Sequence, residues 1–195
     1  MVHASVLSAK TALRLEARAL RKGLAKANPE AARQIAAAAP LERLSRFAVV
    51  AGYRPLGGEI DPWPLMRRLV AAGAALALPV TLDLDLPLAF RAFAEGDPTA
   101  PDALGIPSPQ ENAAAQEPDL IITPLLAFDR SGGRMGQGAG CYDRTIEALR
   151  ARRPIFALGL AYAGQEVARL PVEPHDQKLD AILTENGYIE IEKDL

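Results

Sequence analysis

The chain has 195 residues, enough for one domain with a full α/β core, and hydrophobic residues at 49% against charged ones at 24% are the proportions of a soluble globular protein. A formal charge of −2 argues against a nucleic-acid binder, so any anion site must come from local placement of Lys and Arg. One cysteine, Cys141, excludes an internal disulfide framework, and no stretch approaches the roughly 18 apolar residues of a membrane span.

The Arg- and Lys-rich start has no long apolar stretch and no visible secretory signal, so a soluble, cytoplasmic protein is expected. A first helix is predicted from about Ser5 to Ala27. Leu13, Ala17, Leu20 and Leu24 stack on one face, and Lys10, Arg14, Arg18 and Arg21 fill an arc of about 80° beside them at 100° per residue. Such groups stand either at the edge of a cleft or on a solvated face, and for Arg18 and Arg21 the two readings are balanced. Asn28 as N-cap and Pro29 at the first position open a second, alanine-rich helix reaching Leu44.

Phe47 to Tyr53 is a continuous apolar run, the mark of a buried parallel strand. A helix over Pro62 to Ala72 follows, then a strand over Ala75 to Val80 and a weak alternation through Leu88, Phe90 and Phe93. Residues 95–118, with five prolines, are expected to form a long, partly ordered loop over the active face. Leu120 to Ile122 reads as a strand, a helix starts near Tyr142, and Ile155 to Tyr162 gives another buried strand. Ala181 to Thr184 and Tyr188 to Ile191 close the chain as short strands. The alternation predicts a single three-layer α/β domain spanning residues 1–195, a mostly parallel sheet with helices on both faces. Ligands should then bind beyond the carboxyl ends of the strands, where Tyr53–Glu59, Thr123–Arg134 and Tyr162–Asp180 converge.

The most informative stretch lies between Leu120 and Arg150. Gly132, Gly133, Gly136, Gly138 and Gly140 form a loop between strand and helix, bracketed by Arg134 and Asp143. Strand, glycine loop and helix aim backbone N–H groups and a helix N-terminus at an anion. Arg134 supplies a planar cationic fork for phosphate oxygens, and Asp143 the hard oxygen that Mg²⁺ prefers. The spacing is neither the Walker pattern nor the dinucleotide fingerprint. The alternative is a surface loop whose glycines satisfy turn geometry, but such a loop needs neither Arg134, Asp143 nor Arg144.

AFDRSGGRMGQGAGCYDR closely resembles the signature of the 5-formyltetrahydrofolate cyclo-ligase (methenyltetrahydrofolate synthetase) family. Lys10 and Arg14 in K-x-x-x-R resemble its nucleotide-contacting pair, and YRPLGGEID (Tyr53 to Asp61) its strand-end segment. ALALPV, GIPSPQE and LPVEPHDQKLDAILTE recur in the same order, so the likeness spans essentially the whole chain. It implies an enzyme using ATP and Mg²⁺ to convert 5-formyltetrahydrofolate to 5,10-methenyltetrahydrofolate, ADP and phosphate. The γ-phosphoryl would activate the formyl oxygen, and N10 would then attack. The alternatives are a non-catalytic paralogue binding ATP or folate, and a kinase for another amide-bearing small molecule. The implied partners are ATP and the folate, with no nucleic acid and no membrane, in a monomer or weak homodimer.

By this resemblance Lys10, Arg14 and Arg134 are the catalytic cations on the phosphates. Met135, Gly136, Gln137, Gly138, Ala139, Gly140, Cys141 and Tyr142 complete the nucleotide site. Glu59 contacts the pterin, with Tyr53, Gln137, Gly138 and Cys141 lining the folate side, and Asp143 and Asp180 hold Mg²⁺. Tyr53 and Trp63 flank the pterin region, with core packing the favoured role for each. Family members commonly carry Tyr or Phe at Cys141 and Gly or Lys at Ala139, which bears on substrate affinity and not on reaction type. Neither histidine, His3 or His175, is placed beside Cys141 by motif, so a catalytic cysteine is disfavoured. His175 with Asp176 reads as an acid/base or metal pair or as a turn near the nucleotide, the turn being favoured.

Overall fold

A computed structural model describes residues 2–192, with side chains from residue 10 onward. The chain runs α1 (Val2–Ala27), α2 (Ala31–Ala38), α3 (Leu41–Leu44), β1 (Val49–Ala51), α4 (Trp63–Ala71), β2 (Ala75–Val80) and β3 (Ala89–Ala92). It continues through β4 (Thr99–Pro101), β5 (Pro107–Pro109), β6 (Leu120–Pro124), β7 (Ala127–Phe128), β8 (Arg134–Met135) and α5 (Cys141–Arg150). It closes with β9 (Phe156–Leu160), a 3-10 turn at Ala163–Gln165, β10 (Ala181–Thr184) and β11 (Gly187–Glu190). Helix α2 stops at Ala38 because Pro40 pushes Ala39 into extended backbone, φ −65° and ψ 130°. Glu30 stands at its N-cap instead of Asn28, whose side chain donates to Gln34 Oε1 at 2.9 Å.

The main sheet has seven strands in the order β11-β10-β9-β6-β1-β2-β3. The five central strands are parallel, and β3 and β11 add antiparallel edges. From β1 the chain moves outward to β2 and β3, then returns to β6 on the other side of β1 and moves outward again. The β1/β6 junction is therefore the topological switch point, and a crevice opens beyond the carboxyl ends of strands that diverge this way.

Strand alternation divides the core. Val50, Leu120, Ile122, Leu158 and Leu183 face a layer containing Ile35, Leu65 and Met66 of α2 and α4. Ala51, Ile121, Ala157 and Ile182 face Ile146 and Leu149 of α5 on the other side. This is the three-layer arrangement expected of the sequence.

Helix α1 departs from the predicted stripe. Leu20 is 47% exposed, whereas Lys10, Ala17 and Arg21 are buried. Ala17 and half-buried Leu13 pack on Leu126, Met135 and Leu170, a small cluster separate from the main core. Leu13, Ala17 and Leu24 keep the predicted face, and Leu20 leaves it because the surface receiving α1 there is a polar cleft edge, where neighbouring Arg21 finds partners that Leu20 could not use. The 95–118 segment is also more ordered than expected. Hairpin β4-β5 is closed by the Asp102 carboxylate, which accepts N–H groups of Thr81, Leu104 and Ile106 at 2.9–3.0 Å. Burial alone would raise the Asp102 pKa, but these donors hold it below the ordinary value.

Candidate active site

A cavity of about 460 Å³ opens at the switch point, within the range of small-molecule sites. Its walls come from the turns after β1 and β6, the end of β2, the β4-β5 hairpin, the glycine loop, and α1. All the candidate phosphate and folate residues line it: Lys10, Arg14, Tyr53, Glu59, and the run from Arg134 to Asp143.

The glycine loop is positioned by hairpin β7-β8, in which Phe128 pairs with Arg134. Asp129 closes that hairpin, its carboxylate accepting from Ser131 N and Oγ, Gly133 N and Leu170 N at 2.7–3.0 Å. Burial would raise the Asp129 pKa, but these donors lower it, so the loop is tied down by a carboxylate anion. Gly138 and Gly140 take φ 113° and 69°, backbone that L side chains rarely adopt. Gly140 is the N-cap of α5 and offers no side-chain cap, so the first amides of α5, at Cys141, Tyr142 and Asp143, begin at the cavity wall. Four N–H groups at any helix start lack intrahelical partners, and the dipole adds about half a positive charge. Arg144 staples this corner by donating to Ala139 O at 2.8 Å and to Leu84 O, so it builds the loop and does not line the cavity.

The cations differ in their partners. Arg134, 3% exposed, donates to Asp143 Oδ1 at 2.6 Å, and its Nε is buried without a hydrogen-bond partner. Arg14 Nε donates to Gly136 O at 3.3 Å, and Arg18, outside the cavity, holds Gln137 through Oε1 at 2.9 Å and O at 3.1 Å. The Lys10 ammonium bonds Glu173 at 2.7 Å and Asp176 at 2.5 Å. Burial would depress its pKa, but these carboxylates outweigh that and raise it, so Lys10 is cationic at neutral pH. Arg21 settles on the cleft side, donating to Glu59 Oε1 and Leu125 O, both at 3.2 Å. Glu59 Oε2 accepts from Leu56 N at 2.9 Å.

Tyr53 lines the cavity while its hydroxyl donates to Ile60 O at 2.6 Å, so lining and packing coincide. Burial raises both the Tyr53 and Tyr142 phenols well above their ordinary value, which excludes either as a base at neutral pH. Trp63 packs against Phe93 with ring centres 6.0 Å apart and does not line the cavity. His175 is exposed and lies beside Glu173 and Asp176, whose turn is fixed by Glu173 N donating to Asp176 Oδ2 at 2.7 Å. Glu173, the buried counter-ion of Lys10, escapes sequence reasoning because 163 residues separate the pair.

The structure does not bring Asp180 to the cavity. This residue precedes β10 at the amino ends of the strands, where its Oδ2 accepts from Ala157 N at 2.8 Å and Arg150 at 2.7 Å. Arg150 lies seven residues beyond Asp143 along α5, about 10 Å at 1.5 Å per residue. The motif placed Asp180 at the metal, but parallel register sends it to the opposite end of the sheet from the cleft.

The donor set suits Mg²⁺, which is commonly held by one or two carboxylates plus substrate phosphates. Asp143 takes both Arg134 and Gln177 N (3.0 Å) on Oδ1, so Oδ2 enters neither bond. Glu173, His175 and Asp176 bring ligand atoms within 4.8 Å of one another, but Lys10 already compensates the two carboxylates.

A doubly wound sheet whose switch-point cleft combines a glycine loop, an uncapped helix start and flanking cations defines an α/β protein built to handle phosphate groups. Comparison with known proteins then gives the family. Residues 6–185 match the 5-formyltetrahydrofolate cyclo-ligase family, and the chain belongs to it. It is 34% identical over 167 residues to the 5-formyltetrahydrofolate cyclo-ligase of Mycolicibacterium smegmatis, covering 80% of this chain and 85% of that one. The Escherichia coli K12 enzyme of the same name is also 34% identical, over 69% of this chain and 76% of its own length. The structure of Aquifex aeolicus 5,10-methenyltetrahydrofolate synthetase superposes with a TM-score of 0.74 at 26% identity, covering 95% of this chain and 94% of that one. The family is one of ATP-dependent ligases. No helix among the described residues is long and apolar enough to cross a membrane.

Proposed function

We propose that this cleft converts 5-formyltetrahydrofolate to 5,10-methenyltetrahydrofolate at the expense of ATP, releasing ADP and phosphate. One observation carries the assignment of parts: the glycine loop, the open start of α5, three cations and the Glu59 turn all line a single cavity.

A formamide oxygen is a poor leaving group and needs activation. The amides from Gly136 to Tyr142 would bind the triphosphate, with Arg134, Lys10 and Arg14 spreading the charge that builds on the transferring phosphoryl oxygens. Glu59, fixed by Arg21 and Leu56 N, would accept from the pterin ring N–H and amino groups and so aim the formyl oxygen at the γ-phosphorus. N10 then closes the ring as the formyl oxygen departs with the phosphate, which also takes up the N10 proton. Asp143 would hold Mg²⁺, which when bound adds positive charge at the phosphates. No protein nucleophile is required. Cys141 is held by contacts with Ala139 O and Arg144, neither of which is a base. One domain, working in the cytoplasm as a monomer or weak homodimer, suffices for this chemistry.

The test is direct. Protein supplied with ATP, Mg²⁺ and 5-formyltetrahydrofolate should generate the near-ultraviolet absorbance of the methenyl product. Folded protein that gives no such signal at millimolar substrate would discard the reading, and ATP binding without product would indicate a non-catalytic relative.

A further inference from the structure

Arg54 is the one arginine lining the cleft that makes neither a hydrogen bond nor an ion pair with the described residues. Arg14 bonds Gly136 O, Arg21 pairs with Glu59, and Arg134 pairs with Asp143. The Arg54 guanidinium instead rests against two rings, 5.0 Å from the centre of Phe93 and 5.5 Å from that of Trp63. Its Nε is buried without a partner. Aromatic backing fixes a guanidinium through its face and leaves the in-plane N–H fork for another group. The carboxylates of the cavity are already engaged: Glu59 by Arg21, Asp143 by Arg134, Asp102 by backbone amides, and Glu173 and Asp176 by Lys10. A fixed, half-buried cation with no internal anion is prepared for an anion that arrives with a ligand.

The surroundings indicate which anion. Arg54 lies on the turn after β1 that also carries Glu59, whereas Arg14 and Arg134 stand with the glycine loop and Lys10 with Glu173 and Asp176. Leu56, on the same turn, and Leu104, on the β4-β5 connection, both line the cavity while 48% and 49% exposed. Open apolar surface in the same cavity as a free guanidinium fits a flat ring that carries a carboxylate-bearing tail, and a triphosphate offers no such ring next to its charge.

We infer that Arg54 binds a carboxylate of the folate's glutamate, with Leu56 and Leu104 covering the aminobenzoyl ring, which makes Arg54 a specificity residue of this chain. The inference rests on the folate reading above and assigns that ligand's acidic end.

The experiment follows quenching of Trp63, the sole tryptophan, during titration with 5-formyltetrahydrofolate and with 5-formyltetrahydropteroamide, in which a neutral primary amide replaces the glutamyl amide so that no carboxylate remains. Binding is read without turnover, so a catalytic failure and a failure of this inference stay separate. Arg54→Gln should weaken folate binding roughly tenfold, the loss of one charge-assisted hydrogen-bonded pair. It should bind the pteroamide as the parent does, and Arg54→Lys should recover part of the loss. ATP binding, titrated separately, should be unchanged in both variants. Equal weakening toward folate and pteroamide, or no weakening toward folate, would overturn the assignment. Weakened ATP binding would assign Arg54 to the nucleotide instead.

Discussion

At the scale of single residues, the cleft uses charged groups in two ways that a sequence does not distinguish. Arg144, Arg21 and Asp129 are spent on building: they fix a loop corner, a glutamate and a hairpin. Arg134 and Lys10 are held by carboxylates yet line the cavity, the pattern of cations kept in position for a ligand. The difference predicts a split in kinetics. Arg134→Ala should raise KM for ATP or lower kcat by about ten- to a hundredfold, as expected for losing a charge-assisted contact, with KM for the folate near the parent value. Glu59→Gln, which keeps its shape and one acceptor, should raise KM for the folate and leave that for ATP alone. Steady-state assays with each substrate varied in turn decide this, and two variants that behave like the parent would refute the assignments. Spacing in the glycine loop singled out Arg134 and Asp143, and the family resemblance alone suggested Glu59; the structure brings all three to one cavity. The Asp180 motif is just as regular, yet register, which no local pattern reveals, sets Asp180 at the amino end of β10 and outside the cavity.

At the scale of elements, apolar runs gave β2 and β10 to the residue, since buried strands announce themselves by unbroken hydrophobicity. The β4-β5 hairpin did not, because its strands are Pro-rich and largely exposed and depend on one aspartate at the turn. Leu20 failed as a core position because α1 docks through Arg21 on a polar surface. The glycine loop stands out in the sequence because no turn needs so many glycines with flanking charges, and it lines the cavity. Its backbone supports a second prediction. Gly138→Ala forces φ 113° on a residue with a Cβ, with Arg14 3.4 Å from the added atom, at a cost of about 1–2 kcal/mol. Gly187→Ala imposes φ 126° at a β turn with open space around it and should cost a similar amount. Both should lower Tm by about 2–8 °C, but only Gly138→Ala should weaken ATP binding, readable by equilibrium titration. Equal ATP affinities in the two variants would remove the loop from the nucleotide site.

At the scale of the whole molecule, strand order does the organising. Because the chain leaves β1 in one direction and returns to its other side as β6, the turns after both strands face a common gap. Helix α1 and the β4-β5 hairpin line the same gap, so residues as distant as Lys10 and Glu173 meet there. Alternating strands and helices predict that the turns after the strands converge, but the strand order and the walls added by α1 and the β4-β5 hairpin cannot be read from periodicity, which yields elements but not their neighbours. The most direct test is the structure of the protein with a non-hydrolysable ATP analogue, Mg²⁺ and 5-formyltetrahydrofolate. The account predicts phosphate oxygens within hydrogen-bonding distance of amides between Gly136 and Tyr142, Asp143 at the metal, and Asp180 still bonded to Ala157 N and Arg150. A triphosphate seated away from that loop, or Asp180 swung into the metal's coordination, would contradict it.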